Sequence, residues 1–292
     1  MQNNPVKQHT TPKTYLKHFT FNKKCTFTYS HLKKKIEMRN IEKLTIIKDF
    51  YTFVDEDGRN RYDVEKFLGS SIEAKYNVLV DLINKGVEVD IIKNQLSFYV
   101  AAQYMRTPKA KSKLHREIEN VCRGGDSGKI FEAEDMAIFT KNCTLYGKPI
   151  TYQEFLEKRN EMDVNVDIDK GVHAKYMIHR LQGMAEDISK RKWLILKAPK
   201  HENFITCDNP IVSVQKYKDL KLTALDGEIF ILSDKLAVAI GDNWDGYYDI
   251  FSDDMEYINH SIALNSDRYL FSSDEKLLRE NVKLLNKESL YS

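Results

Sequence analysis

The stretch QLSFYVAAQYMRTPKAK, Gln95 to Lys111, is apolar for most of its length, yet it ends in Gln103 and Arg106 and then meets Pro108. At about 100° per residue, Ile92, Leu96, Tyr99, Gln103 and Arg106 fall within about 80° of one another, and Lys93 and Ser97 lie on another face. The spacing predicts a helix capped by Asp90. Its core-facing side carries a carboxamide and a guanidinium one turn apart. Thr107 precedes proline and is pushed away from helical geometry, so the helix ends or kinks there. Arg106 then projects inward from a last turn.

An arginine keeps its proton in a protein. Breaking a buried ion pair by removing one partner costs roughly 3–5 kcal/mol, so an inward guanidinium must meet a carboxylate, helix-end carbonyls or an anionic ligand. Three carboxylates are candidates. Glu65 lies at the edge of the apolar face of the helical stretch RYDVEKFLGSSIEAKYNVLVDLINKG, residues 61–86, whose Val64, Phe67, Leu68, Ile72, Leu79 and Leu82 share one side. Glu73 projects farther round that helix. Asp208 sits in FITCDNPIV, where a strand must turn and Asp-Asn-Pro supplies the turn chemistry. The pair either ties the helical middle to a sheet or lines an anion-binding cleft.

Outward from this helix, KCTFTYSH (24–31) alternates as a strand does, and KLTIIKDFYTFVDEDG (43–58) is strand-like up to Val54, with a turn at Asp57-Gly58. FEAEDMAIFTKN (131–142), TYQEFLEKRNEM (151–162) and DIDKGVHAKYMIHRLQGMAEDISKRK (167–192) read as helices. The last has Ala174, Met177, Leu181, Met184, Ala185 and Ile188 on its apolar face. After Arg191, WLILKAP, NFITCDNPIVSV, EIFILS and LAVAIGD are short apolar runs broken by Pro, Asn, Asp and Gly, expected as strands of one sheet. Residues 254–266 and 274–287 return to helix around the strand RYLFSS. The order implies α+β: a single mixed domain over 1–292, with a helical middle packed on a small, mostly antiparallel sheet. Its parts are a basic β-containing start (1–60), a helical part (61–190), a β-rich part (191–273) and a C-terminal helix (274–292).

The net charge is only +2, but residues 1–44 hold ten Lys/Arg against two Glu. Lysines there alternate with Tyr15, Phe19, Phe21, Phe27 and Tyr29. That pattern suits either a strand with a solvated lysine face or a surface for single-stranded nucleic acid, reached by phosphate contacts and base stacking. Four scattered cysteines form no C-x-x-C pair and read as free thiols. With no apolar run of membrane-spanning length and no signal-peptide pattern near the start, a cytoplasmic protein without a membrane partner is expected. RGGDSGKI (123–130) lacks the residues of a phosphate loop, and DVNVDIDKG (163–171) lacks the glycine and glutamate of a calcium loop. His173 and His179, six apart, are out of line for a metal pair and read as solvated. No cofactor is expected; a divalent ion held by Glu73 or Asp208 is the alternative.

The same segments carry a resemblance. KQHTTPKTYLKHF, DFYTF, VEKFLGSSIEAK, FYVAAQYMRTPKAK, NFITCDNPIV and INHSIALNSDRYLFSS resemble, in order, segments of the family called domain of unknown function 4238, from about residue 7 to 274. Cys207 stands where Ser is usual, and Ser266 and Asp267 replace a small apolar residue before Arg268. The resemblance implies a bacterial, cytosolic protein of one α+β domain, in a family often found in the company of phage-defence and conflict systems. It adds His9, Glu65, Glu73, Gln103, Arg106, Asp208, Asn209 and Asn259 as positions to examine. The resemblance implies no activity; the polar set on an apolar helix and the basic start of the chain carry the expectation of a hydrolase acting on a phosphate-bearing substrate such as RNA or DNA. His9 would be general acid or base, Arg106 the phosphate binder and Gln103 an orienting group. Asp208 or Glu73 would hold Arg106, and Glu65, Asn209, Asn259, Lys13 and Lys17 would meet substrate. The alternative is a non-catalytic nucleic-acid- or protein-binding module whose polar cluster is structural.

Overall fold

The computed structural model describes residues 5–55, 57–122, 171–213 and 227–288, with short pieces at 143–145, 148–149, 154, 157 and 167–169. Strand β1 (Lys7–His9) is followed by helix α1 (Lys13–Leu16), strands β2 (Cys25–Ser30), β3 (Lys35–Asn40) and β4 (Ile46–Lys48), and the small ribbon β5 (Phe53–Val54) and β6 (Asn60–Arg61). Helix α2 (Asp63–Phe67) runs through a π-helical turn, Leu68–Glu73, into α3 (Ala74–Asn84). Helices α4 (Val89–Met105) and α5 (Pro108–Cys122) follow, then strands β7 (Cys143–Leu145), β8 (Lys148–Pro149) and β9 (Asp167–Ile168), and helix α6 (Val172–Lys190). The rest is β10 (Lys192–Lys197), β11 (Thr206–Cys207), β12 (Ile211–Ser213), β13 (Glu228–Ile231), β14 (Leu236–Gly241), β15 (Gly246–Asp249), α7 (Ser252–Asn265), β16 (Tyr269–Ser272) and α8 (Glu275–Glu288).

The fold is α+β, as the pattern predicts, but the β-rich part does not form one sheet. Strands β12-β13-β14-β10-β15 make one sheet, antiparallel except where β15 joins β10. Strand β11 belongs to a second, antiparallel sheet, β11-β16-β2-β3. Between β11 and β12 stands Asp208-Asn209-Pro210, which turns the chain from one sheet to the other. Among the described residues β1 pairs only with β4, His9 facing Ile46. The helix expected over 131–142 and the loop at 122–129 lie outside the described residues, apart from the last residue of α5, and of the helix expected over 151–162 only Glu154 and Glu157 are described, both helical.

Helix α4 forms where its spacing places it. Ile92, Leu96, Tyr99, Gln103 and Arg106 are all buried. Ser97, assigned to a more polar face, is buried as well, and its hydroxyl donates to the Asn94 carbonyl of its own helix. Asp90 is not the cap; it lies inside the first turn, with Glu88 at the N-cap. Phe67, expected in the core, is largely exposed. A continuous apolar core joins α3, α4 and α6 to the five-stranded sheet through residues such as Tyr76, Val100, Met177, Trp193 and Phe230. This core holds the end of α4 rigidly against the start of the chain.

Candidate functional site

Arg106 is the C-cap residue of α4, and it is 1 % exposed. Its Nη1 donates to Glu73 Oε1 at 2.8 Å and its Nη2 to the carbonyl oxygen of His9 at 2.6 Å. Of the three carboxylates the sequence offers, Glu73 is the ion-pair partner. A regular helix would leave Glu73 about 80° round from Glu65, eight residues earlier. The π turn between them bonds i to i+5, so each residue rotates through less than 100°, and that offset closes. Both carboxylates consequently lie within the electrostatic reach of Arg106.

The segment around His9 is clamped by charged side chains. Its carbonyl accepts from Arg106, and its N–H lies in bonding reach of Glu65. Next to it, Gln8 is fully buried; its Oε1 accepts from the Tyr51 N–H at 2.5 Å and its Nε2 donates to Thr52 Oγ1 at 3.1 Å. Tyr51 in turn donates its hydroxyl to the Arg106 carbonyl at 2.7 Å, and its ring lies 5.9 Å from the guanidinium carbon. Four segments of the chain, 8–9, 51–52, 65–73 and 99–106, thus meet at one arginine.

What distinguishes this cluster is unmet bonding capacity. Buried polar atoms are almost always paired. Here Arg106 Nε, both amide atoms of Gln103, Glu65 Oε2, His9 Nε2 and the Thr11 hydroxyl are buried without a hydrogen-bond partner, while the buried Tyr99 hydroxyl lies in bonding reach of Thr14. Tyr99 lies close enough to Glu73 and Arg106 to feel both charges. Burial pushes the Glu65 carboxyl up to about 7, against the pull of Arg106, with Glu73 adding to the rise. Burial, then the Lys13 and Arg106 charges, hold the His9 imidazole below its ordinary value, against the opposing charge of Glu73 and a backbone bond at Glu42. Titrating groups displaced in this way, in one polar cluster, are a recurrent mark of functional sites.

Asp208 makes its bonds elsewhere. Its carboxylate accepts the N–H groups of Asp267, Arg268 and Tyr269 at 3.1, 2.9 and 3.4 Å, fixing the bend into β16. Burial lifts its pKa to about 6, with those N–H groups pulling the other way. The side chain of Asn259 bonds the backbone of Ile205 and Asn203. Asn209 exchanges bonds with Asn265. These three secure the junction of the two sheets and α7. Lys13 and Lys17 are exposed on and beside α1, and Lys13 acts on His9 through its charge. His173, read as solvated, is instead buried, with its Nε2 2.7 Å from the Met105 carbonyl. Burial depresses its pKa to about 3. Sequence reasoning passed over Gln8, Tyr51 and Tyr99 as site residues. Tyr99 was visible as a member of the helix face, and Gln8 as the neighbour of His9. Among the described residues no group of three or more His, Cys, Asp or Glu side chains is placed to hold a metal ion.

Residues 7–276 match the family described as "Protein of unknown function (DUF4238)". The chain belongs to that family, which covers nearly its whole length. No curated protein and no solved structure matches it. No described helix is long and apolar enough to cross a membrane.

Proposed function

We propose that the protein is a hydrolase acting on a phosphate-bearing substrate such as RNA or DNA, with the polar cluster around Arg106 as its reaction centre. The observation that carries this reading is the set of buried, unpaired polar atoms surrounding a guanidinium with a free Nε–H. Such a set costs stability unless a ligand or water completes it. A phosphate oxygen is an ideal partner for the remaining N–H donors of an arginine. Glu65, protonated up to about pH 7, would donate a proton to the leaving oxygen. His9, neutral near pH 7, would accept the proton of the attacking water, and Gln103 would orient that water. Arg106 would stabilise the charge developing on phosphorus oxygens. Glu73 and His9, both half-buried, form the more open side of the cluster, and Lys13, exposed and acting on His9 through its charge, would meet a polyanion there, with Lys17 one turn further along the chain.

The second reading is a non-catalytic module, and the completeness of the Arg106–Glu73–Tyr51–Gln8 connections favours it. One experiment separates the two. Purified protein is incubated with single-stranded RNA, single-stranded DNA and duplex DNA, with and without magnesium or manganese, beside Glu65→Gln and His9→Ala. Phosphodiester cleavage lost in both variants, with folding intact, is the expected result. Cleavage untouched by both, or binding without turnover, overturns the hydrolase assignment.

A further inference from the structure

The edge of the five-stranded sheet has a composition unlike the rest of the surface. Among the described residues, strand β15 is the outermost strand, paired with β10 on one side only. Residues 242–253 around it contain Asp242, Asp245, Asp249 and Asp253 and no Lys or Arg. The same twelve residues expose Trp244, Tyr248 and Phe251 to 54 %, 36 % and 59 %. The chain's other tryptophan, Trp193, is fully buried. Edge strands are normally blunted by shortness, charge, proline, a bulge or a covering loop. Three large exposed aromatics on an edge are instead the composition of an interface centre.

The second sheet ends in a surface of opposite sign. Strand β3 is its outermost strand. The β2–β3 hairpin carries Lys33, Lys34, Lys35 and Arg39 against the single acid Glu37, which Lys33 and Lys35 already pair. Leu32 and Met38 stand exposed among these cations. Lys34 makes no ion pair within 4 Å, and neither does Asp249 on the other edge, among the described residues. Two unpaired strand edges, both carrying exposed apolar side chains and charges of opposite sign, therefore stand on one molecule.

We propose that these two surfaces bind each other between copies: the acidic, aromatic β15 edge takes the basic β2–β3 hairpin of a second copy of this chain. Main-chain bonds along the two strand edges supply the framework. Cation–π contacts of lysine or arginine with Trp244 and Tyr248, and pairs to Asp249, supply selectivity. The two surfaces differ, so the contact is heterologous and leads to a ring or an open array rather than requiring a two-fold dimer. This inference does not rest on the Arg106 site.

The test uses the whole chain in sedimentation velocity and light scattering over rising concentration. Wild-type protein is expected to exceed the 34.1 kDa of one chain. It should fall towards that mass when salt rises from about 0.1 M to about 1 M, as the Debye length shrinks from about 10 Å to about 3 Å. Asp249→Lys and Lys34→Glu alone should each weaken association about tenfold or more, equivalent to roughly 1.4 kcal/mol. Mixing the two variants should restore it, since one altered edge then complements the other. Trp244→Ser with Tyr248→Ser should abolish it while circular dichroism stays native. A monomer under all conditions overturns the proposal. So does an oligomer indifferent to these substitutions, a mixture that fails to recover, or a monomer that captures only foreign Lys/Arg-rich peptides.

Discussion

Replacing Glu65 by Gln gives the sharpest test of the Arg106 cluster. Glutamine keeps the shape and an acceptor for the His9 N–H, and it removes the titration. The Glu65 carboxyl titrates at about 7 when folded, against 4.5 for the free side chain. The folded state therefore holds a proton that the unfolded chain has released. Stability falls as pH rises from 4.5 through about 7, by about 1.4 kcal/mol per unit, or about 3 kcal/mol in all. Because the side chain is only partly buried, solvent screening trims this to the order of 1–3 kcal/mol. Urea unfolding of wild type and Glu65→Gln at pH 5 and pH 8 reads the difference directly. The variant is expected to match wild type at pH 5 and to be more stable at pH 8. Under the proposed function it should also lose activity, the exchange of stability for function expected of a reactive group. A stability difference that does not change between the two pH values, or a variant weaker at pH 8, refutes the protonated carboxyl and its role as acid.

Three further outcomes follow from the same geometry. Any phosphodiesterase activity should have a bell-shaped pH profile, with its alkaline limb near 7 set by Glu65 and its acid limb below 6.5 set by His9; a flat profile across pH 6–8 contradicts the assignment. Arg106→Met should cost about 3–5 kcal/mol in chemical unfolding, and a double-mutant cycle with Glu73→Gln should return a coupling of roughly 0.5–3 kcal/mol. Arg106→Lys should not rescue it, since an ammonium cannot serve Glu73 and the His9 carbonyl in the same planar geometry. Asp208→Asn should destabilise by about 1–3 kcal/mol through its lost backbone bonds and leave the activity per folded molecule unchanged; a selective loss of activity would return Asp208 to the site.

The inward arginine was legible because helical spacing is a local property, and Ile92, Leu96, Tyr99, Gln103 and Arg106 kept that spacing in the fold. The identity of its partner was not legible. Extrapolating a uniform 100° per residue from Glu65 to Glu73 placed Glu73 too far round, since a π turn leaves no signature in hydrophobic period. Asp208 was read correctly as turn chemistry, but its bonds go to residues about sixty positions away, a distance over which no local pattern speaks. The same limit hid the division into two sheets. Strand propensity identifies β11 and β12, whereas their partners, β16 and β13, are chosen by long-range packing. His173 looked solvated because its spacing from His179 ruled out a shared metal and the local sequence offered it no other partner. Only the arrival of the α4 terminus, with its open Met105 carbonyl, explains its burial.

The wide turn from Leu68 to Glu73 makes residue count itself a functional variable. Excising one of its exposed members, Gly69 or Ser70, would let the ladder tighten into ordinary α-helix without altering any side chain of the cluster. Seven steps of about 100° would then bring Glu73 back to within about 20° of the line through Glu65, so its pairing with the guanidinium would survive the loss of a residue. Tightening the same turn at full length would instead leave Glu73 about 80° away, so along this helix a straightened ladder is the harsher change and a single deletion the milder one.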